Sequence, residues 1–412
     1  MVVTVQRLAM LSLHTSPLSQ PGQGDAGGMN VYVRELVSAL AQAGVACTTY
    51  TRSTGAEPAA EVQVEPGHRV VHIPAGAPSL AKEDLSGVVA DFADGVRDHL
   101  DATGGADVIH ANYWLSGIAG HRLKHELELP LVSTFHTLAR VKAEGGDLEP
   151  ARRERAENEI IGCADAICVS CTEEERQFRR LYGDPPGRIE IVAPGVEHAL
   201  FAPGDRGGAR RALGLRVDRP VLLFVGRIQP LKGADVAVRA LAALGRPDVQ
   251  LLIVGGASGR EGTGEVGRVH ELIDELGVTA QVHFVPPQQH HILSTYYRAA
   301  DAVLVPSRSE SFGLVALEAA ACGTPVIASA VGGLLTLVDD GETGFLVPDR
   351  DPEEFARLAA TLLGDDALAR SMSRHAALRS RRYTWSLAAA RLRRAYADLT
   401  VGALGETGAA LR

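Results

Sequence analysis

The sequence predicts an α/β protein built as two doubly wound, Rossmann-like domains facing a central cleft. Three observations carry this. Short apolar runs alternate with amphipathic or Ala/Leu-rich stretches along the whole chain, the pattern of βαβ units on parallel sheets. The alternation breaks at Pro194-Gly195-Val196 and the polar stretch 203–208, then restarts. And 412 residues, 46% of them hydrophobic, exceed what one core holds. Residues 1–197 are expected to form the first domain and 198–384 the second. A terminal helix, 385–412, is expected to pack back on the first.

In the first half, 7–13 reads as a strand, followed by a Pro/Gly/Gln-rich loop, 14–28. Helix 30–43 stops at Gly44. Strands follow at 45–50 and 69–74, then a helix at 82–102. A short strand, 108–111, leads to Asn112-Tyr113-Trp114, and 116–127 is helical. Strand 131–135 ends at His136-Thr137. A charged helix, 149–162, and strands 166–170 and 189–192 close this half. In the second half, strands fall at 221–225, 249–254, 282–285, 302–306, 326–329 and 344–347. Helices fall at 234–243, 265–276, 290–299, 314–321, 352–363, 366–374 and 385–396.

Charge and composition exclude several classes. A net charge of −9 argues against a nucleic-acid binder. No apolar run is long enough to span a bilayer, and 8–13 is too short for a signal sequence. Cys163, Cys168 and Cys171 have a C-x4-C-x2-C spacing, but Cys168 sits in a strand whose side chains alternate between faces, so the three cannot converge on an iron–sulfur cluster. Five cysteines without framework spacing predict reduced thiols and a cytoplasmic protein. Gly22-Gln-Gly24-Asp-Ala-Gly27 matches G-x-G-x-x-G, yet some eight residues separate it from the first strand and no acid ends the second. A dehydrogenase is therefore not expected.

Three loops carry candidate chemistry. Residues 303–327 read as strand, polar turn, helix, strand. Glu310 lies before the helix and Glu318 a turn inside it. Gly313 allows close backbone approach, and the N–H groups of Leu314 and Val315 point out of a helix start, which attracts phosphate. Such a loop suits a sugar nucleotide, with acids on hydroxyls and the helix end on the diphosphate. Gly226–Gly233 places Arg227 and Lys232 five apart on a Gly-bounded loop, able to clamp two phosphates. Gly27-Gly28-Met29-Asn30 opens a helix with backbone N–H groups available to an anion or a sugar.

Together these motifs resemble the retaining GT-B glycosyltransferases of the large family that uses nucleotide-diphospho-sugars. The likeness spans nearly the whole chain. The stretches SLHTSPLSQPGQGDAGGMNVYV, HANYWLSG, STFHTLARVK and GRIQPLKG are similar to the branch that glycosylates inositol phosphate in mycothiol biosynthesis. The resemblance implies transfer of N-acetylglucosamine, or a related hexose, from UDP to 1L-myo-inositol 1-phosphate. It places Arg227, Lys232, Gly28, Gly313, Leu314 and Val315 on the donor diphosphate, Glu318 on the ribose and Glu310 on sugar hydroxyls. His136 lies near the reacting end of the sugar and counts, with Arg227, Lys232 and Glu310, as catalytic. Asn30, Lys82, Tyr113, Thr137 and Arg153 match the acceptor pocket, the last four around its phosphate. Two cations and two hydroxyls, left unpaired without it, seat a phosphate dianion. No catalytic metal or cofactor is expected, because protein cations occupy a metal's place. A homodimer is the assembly considered.

The chain departs from the family where it reads Asn112 for a usual His, Ser309 for Asn and Leu335 for Pro, and in the loop after Lys142. The donor diphosphate set is intact, and the departures bear on the acceptor. An aminocyclitol such as 2-deoxystreptamine, or another sugar phosphate, is the alternative acceptor. A non-catalytic sugar-nucleotide-binding protein is the rival from another class.

Overall fold

The computed structural model of the protein describes residues 5–22, 24–55, 57 and 59–409, without the side chains of 259–263 and 402–409. It divides into two compact units. One comprises residues up to 18, 29–195 and 385 onward, and the other 19–28 and 196–384. The loop 19–28 thus groups with the second unit, although the chain order places it in the first half.

The first unit is built on an eight-stranded sheet ordered β3-β4-β2-β1-β5-β6-β7-β8. Its strands are β1 Arg7–Leu11, β2 Ala46–Arg52, β3 Glu61–Glu65, β4 His68–Ile73, β5 Val108–Asn112, β6 Leu131–Thr134, β7 Ala166–Val169 and β8 Arg188–Ile191. All pair in parallel except β3, which runs antiparallel to β4. Strands β5, β6 and β7 are buried along their whole length. Helices on both faces make that possible, and it explains why these strands read as continuous apolar runs. The edge strand β3 escaped the sequence reading. Its Glu-Val-Gln-Val-Glu carries charge at both ends and has no fully buried residue, the usual protection of an edge.

The second unit has a six-stranded parallel sheet ordered β11-β10-β9-β12-β13-β14. Its strands are β9 Val221–Val225, β10 Gln250–Val254, β11 Val282–Val285, β12 Ala302–Val305, β13 Val326–Ser329 and β14 Gly344–Val347. In each sheet the order reverses once, between β1 and β5 and between β9 and β12. Ligands of open α/β sheets bind beyond the strand ends at such a switch point. The loops after these strands are therefore the ones to inspect.

Several boundaries differ from expectation. The helix expected over 82–102 is a 3-10 turn, Lys82–Val88, followed by the α-helix Val89–Thr103. The helix expected from 116 begins at Tyr113. Polar 203–208 is not all linker: Asp205 caps a helix over Arg206–Ala212, accepting from the Gly207 and Gly208 N–H groups. The terminal helix runs Trp385–Ala409 and groups with the first unit. Among the described residues, no helix is long and apolar enough to cross a membrane.

Candidate functional site

In the second unit the two predicted loops meet at the switch point. Gly226–Gly233 leaves β9, residues 306–313 leave β12, and the Arg308 N–H donates to the Leu231 carbonyl at 2.9 Å. Gly233 makes the close approach possible. It sits at φ +76°, and a Cβ there would lie 2.4 Å from the Pro306 carbonyl oxygen. Lys232 Nζ then reaches Glu310 Oε2 at 2.6 Å. Arg227 Nη1 donates to Ser258 Oγ at 3.3 Å. Gly27 lies against Arg227, with a built Cβ 3.2 Å from Nε, and Gly28 lies against Leu314.

Gly313, at φ +104°, turns the chain into the helix Leu314–Ala321, whose start no side chain caps. The N–H groups of Leu314 and Val315 thus open beside the Lys232–Glu310 pair. A turn inside, Glu318 is buried and held on both oxygens, by His290 Nε2 at 2.7 Å and by Tyr297 OH at 2.8 Å. Burial and the adjacent Glu318 push the Tyr297 phenol well above its ordinary pKa, so it donates to the carboxylate. His290 escaped the sequence reading. It opens a helix directly after β11 and its loop, and that placement was the available signal.

In the first unit, β5 and β6 end at two strained residues. Tyr113 has φ +74° and His136 φ +59°, a region that only a few per cent of side-chain-bearing residues occupy. Asn112 Nδ2 donates to the Leu11 carbonyl, so its Oδ1 accepts from His136 Nε2 at 2.9 Å and fixes the tautomer. Burial, with a lesser contribution from His110, lowers the His136 pKa to about 3. The imidazole is neutral at pH 7. Asn112, a departure from the family pattern, is thus the group that orients His136.

Lys82, Tyr113, Thr137 and Arg153 do come together. Lys82 Nζ lies 5.1 Å from the centre of the Tyr113 ring and Arg153 Cζ 5.0 Å from it. Arg153 donates to Tyr113 OH at 3.3 Å, and to Thr137 Oγ1 at 3.0 Å and its carbonyl at 2.8 Å. It also pairs with Glu149 and Glu157, both at 2.8 Å. Glu149 in turn pairs with Lys142, which also meets Asp147. This corrects the expectation of two unpaired cations. Lys142 and Arg153 face three carboxylates, and every Arg153 N–H has a protein acceptor. Among the described residues Lys82 has no carboxylate partner. Asn30 is placed otherwise: its side chain donates to Thr15 Oγ1 at 2.7 Å and the Ser16 carbonyl at 2.6 Å, holding the loop after β1.

The C-x4-C-x2-C thiols have separate surroundings. Cys163 faces His125, Cys168 is buried in β7, and Cys171 caps the helix Thr172–Tyr182.

Comparison with known proteins accounts for both units. Residues 27–195 match the family model "Glycosyl transferase 4-like domain" and 205–379 match "Glycosyl transferases group 1". The chain is 46% identical over 407 residues to the D-inositol 3-phosphate glycosyltransferase of Xylanimonas cellulosilytica, covering 96% of this chain and 97% of that protein. It is 46% identical to the D-inositol 3-phosphate glycosyltransferase of Mycobacterium bovis, covering 92% of this chain and 80% of that one. Among solved structures, sucrose-phosphate synthase of Thermosynechococcus elongatus superposes with a TM-score of 0.91 at 34% identity, over 96% of this chain and 100% of that one. With these matches over nearly its full length, and a GT-B pair of Rossmann-like units, the chain belongs to the group 1 glycosyltransferases with a 4-like N-terminal domain.

Proposed function

We propose that this enzyme moves N-acetylglucosamine from a UDP donor to 1L-myo-inositol 1-phosphate, with retention at the sugar carbon, as the first step of mycothiol synthesis. The acceptor is the compound also named D-inositol 3-phosphate, the word in the names of both relatives. One observation in the chain itself carries the reading: Lys82, without a carboxylate partner, stands over Tyr113, and Arg153 holds both the Tyr113 and the Thr137 hydroxyls. A phosphate there gains one uncompensated cation and two hydroxyl donors. Arg153, saturated by its own neighbours, positions Tyr113 and Thr137 rather than supplying free charge. Sucrose-phosphate synthase carries a phosphorylated sugar in its name too, so a sugar phosphate is the second reading of the same pocket.

On the donor side, Arg227, Lys232 and the 314–315 N–H groups hold the diphosphate. Glu310 orients Lys232 and offers its other oxygen to sugar hydroxyls. Glu318, fixed by His290 and Tyr297, accepts from the ribose. Neither acid is a nucleophile: one is paired with Lys232 and the other is held on both oxygens. The acceptor hydroxyl attacks the sugar carbon on the face the diphosphate leaves. The bond to the diphosphate oxygen breaks with its electron pair, and the hydroxyl proton passes to that departing phosphate. Catalysis is positioning plus stabilisation of the leaving charge. His136, neutral, contributes hydrogen bonding to the sugar, not charge. Five free cysteines fit a reducing, cytoplasmic setting.

The test is an acceptor screen with labelled UDP-N-acetylglucosamine. Inositol 1-phosphate should give the highest kcat/KM, above free inositol, hexose phosphates and 2-deoxystreptamine. Preference for a hexose phosphate would move the enzyme to the second reading, and preference for the amine would overturn the phosphate pocket.

A further inference from the structure

Two helices that carry acceptor-site residues at their starts bring three metal-ligating side chains together near their ends. Tyr113 opens the helix Tyr113–Leu127, and Arg153 lies in the first turn of Ala151–Cys163. His121 and His125 follow on the first helix, and Cys163 ends the second. At i and i+4 the histidines share one helix face, with ring centroids 5.2 Å apart. His125 Nε2 lies 3.2 Å from Cys163 Sγ, and one donor atom from each of the three lies within 4.8 Å of the others. The helices are close where they cross: a Cβ on Gly117 would lie 2.6 Å from Ile160 Cδ1. The donors are therefore held by packed backbone, not by mobile loops.

We infer that His121, His125 and Cys163 form a site for one zinc-class divalent ion, a His2Cys clip between these helices. Nitrogen and thiolate donors are the set such ions select over magnesium or calcium. Tetrahedral zinc, with bonds of about 2.0–2.3 Å, places its donors about 3.3–3.6 Å apart, so rotamer shifts of roughly 1 Å close the site. Glu159 lines the same shallow depression and can supply the fourth ligand, or water can. The surrounding charges permit a cation. Lys124 is the nearby positive group, and it is held away by the Cys163 carbonyl and Asp165. Burial and His125 keep His121 below its ordinary pKa, in the neutral form a metal needs. Burial raises the Cys163 thiol, with Lys124 opposing, so the ion must displace a proton and binding weakens on acidification.

Untagged full-length protein titrated with Co2+ as spectroscopic probe, then with Zn2+, tests this. The expected result is one ion per chain, a thiolate-to-cobalt charge-transfer band, and a higher Tm with zinc. Cys163→Ser should abolish the band and the Tm rise and weaken binding at least ~100-fold, since even outer partners of a metal site are worth ~10–100-fold. His121→Ala should weaken binding while keeping the band. A cobalt spectrum without the thiolate band, equal affinity in Cys163→Ser, or a Tm that saturating zinc leaves unchanged would overturn the clip.

Discussion

Lys232 and Arg153 were both candidates for holding phosphate, and the structure gives them opposite circumstances. Lys232 has one carboxylate partner, Glu310, and the pair is partly open, at 24% and 18% exposure. Arg153 has two, and with Glu157 it is sealed at 1% and 0% exposure. A partly open pair can trade partners with an incoming diphosphate at small cost. A buried one cannot be broken without leaving a bare charge in the interior. The same kind of ion pair is therefore free to exchange partners in one unit and fixed as architecture in the other.

The largest contrast should appear in turnover. Lys232→Ala and Glu310→Gln should each lower kcat by at least ~100-fold, as loss of a transition-state contact does, while thermal stability moves by no more than about 1 kcal/mol. Steady-state kinetics beside calorimetry reads both, and near-normal turnover in either variant removes that residue from the mechanism. Arg153→Met should show the reverse balance, destabilising the protein by about 3–5 kcal/mol because Glu157 stays buried and uncompensated. Pairing it with Glu157→Gln should recover part of that loss.

Acid should separate the units as well. His110 and His136, both in the first unit, are held near pKa 3, chiefly by burial. Their unfolded forms titrate near 6.5, so between about pH 6.5 and 3 the unfolded chain binds more protons. Stability is then fully present above pH 6.5 and falls as pH drops, by up to about 1.4 kcal/mol per pH unit per histidine. Calorimetry between pH 7 and 5 should show that slope, less the opposing contribution of buried Glu174, whose pKa burial raises to about 7, and His110→Gln, which cannot titrate, should remove about one histidine's share of it. The smallest effect concerns metal. Excess chelator should leave initial rates unchanged if, as proposed, Arg227 and Lys232 carry the leaving charge. Activity lost to chelator and restored by magnesium or manganese would transfer that role to an ion.

How much of this was legible follows the same divide. The donor loops could be read because their residues are contiguous: Gly226–Gly233 and 306–323 each supply strand end, glycine and charge in one stretch. The parallel strands could be read because burial on both faces leaves them uniformly apolar. The acceptor cluster is assembled from four separate segments, so the sequence could name its members only through a resemblance. The charge balance was nonetheless written in the spacing. Arg153 and Glu157 stand at i and i+4 on one helix, with Glu149 four residues before Arg153 in the segment leading into it, a spacing that pairs acid and base. The strain at Tyr113 left no mark in the sequence, since tyrosine does not announce a positive φ, and at His136 the mark is only histidine's mild enrichment there.

Lys82 carries the central claim that this acceptor pocket reads a phosphate through one uncompensated cation. The direct measurement is the ratio of kcat/KM for inositol 1-phosphate to that for free inositol, in the native enzyme and in Lys82→Met. The account predicts a native ratio far above one that collapses ~10–100-fold in the variant, the scale of a charge-assisted hydrogen bond of about 1.5–3 kcal/mol, with little change for free inositol. An unchanged ratio in Lys82→Met, or a native preference for the unphosphorylated ring, would contradict it.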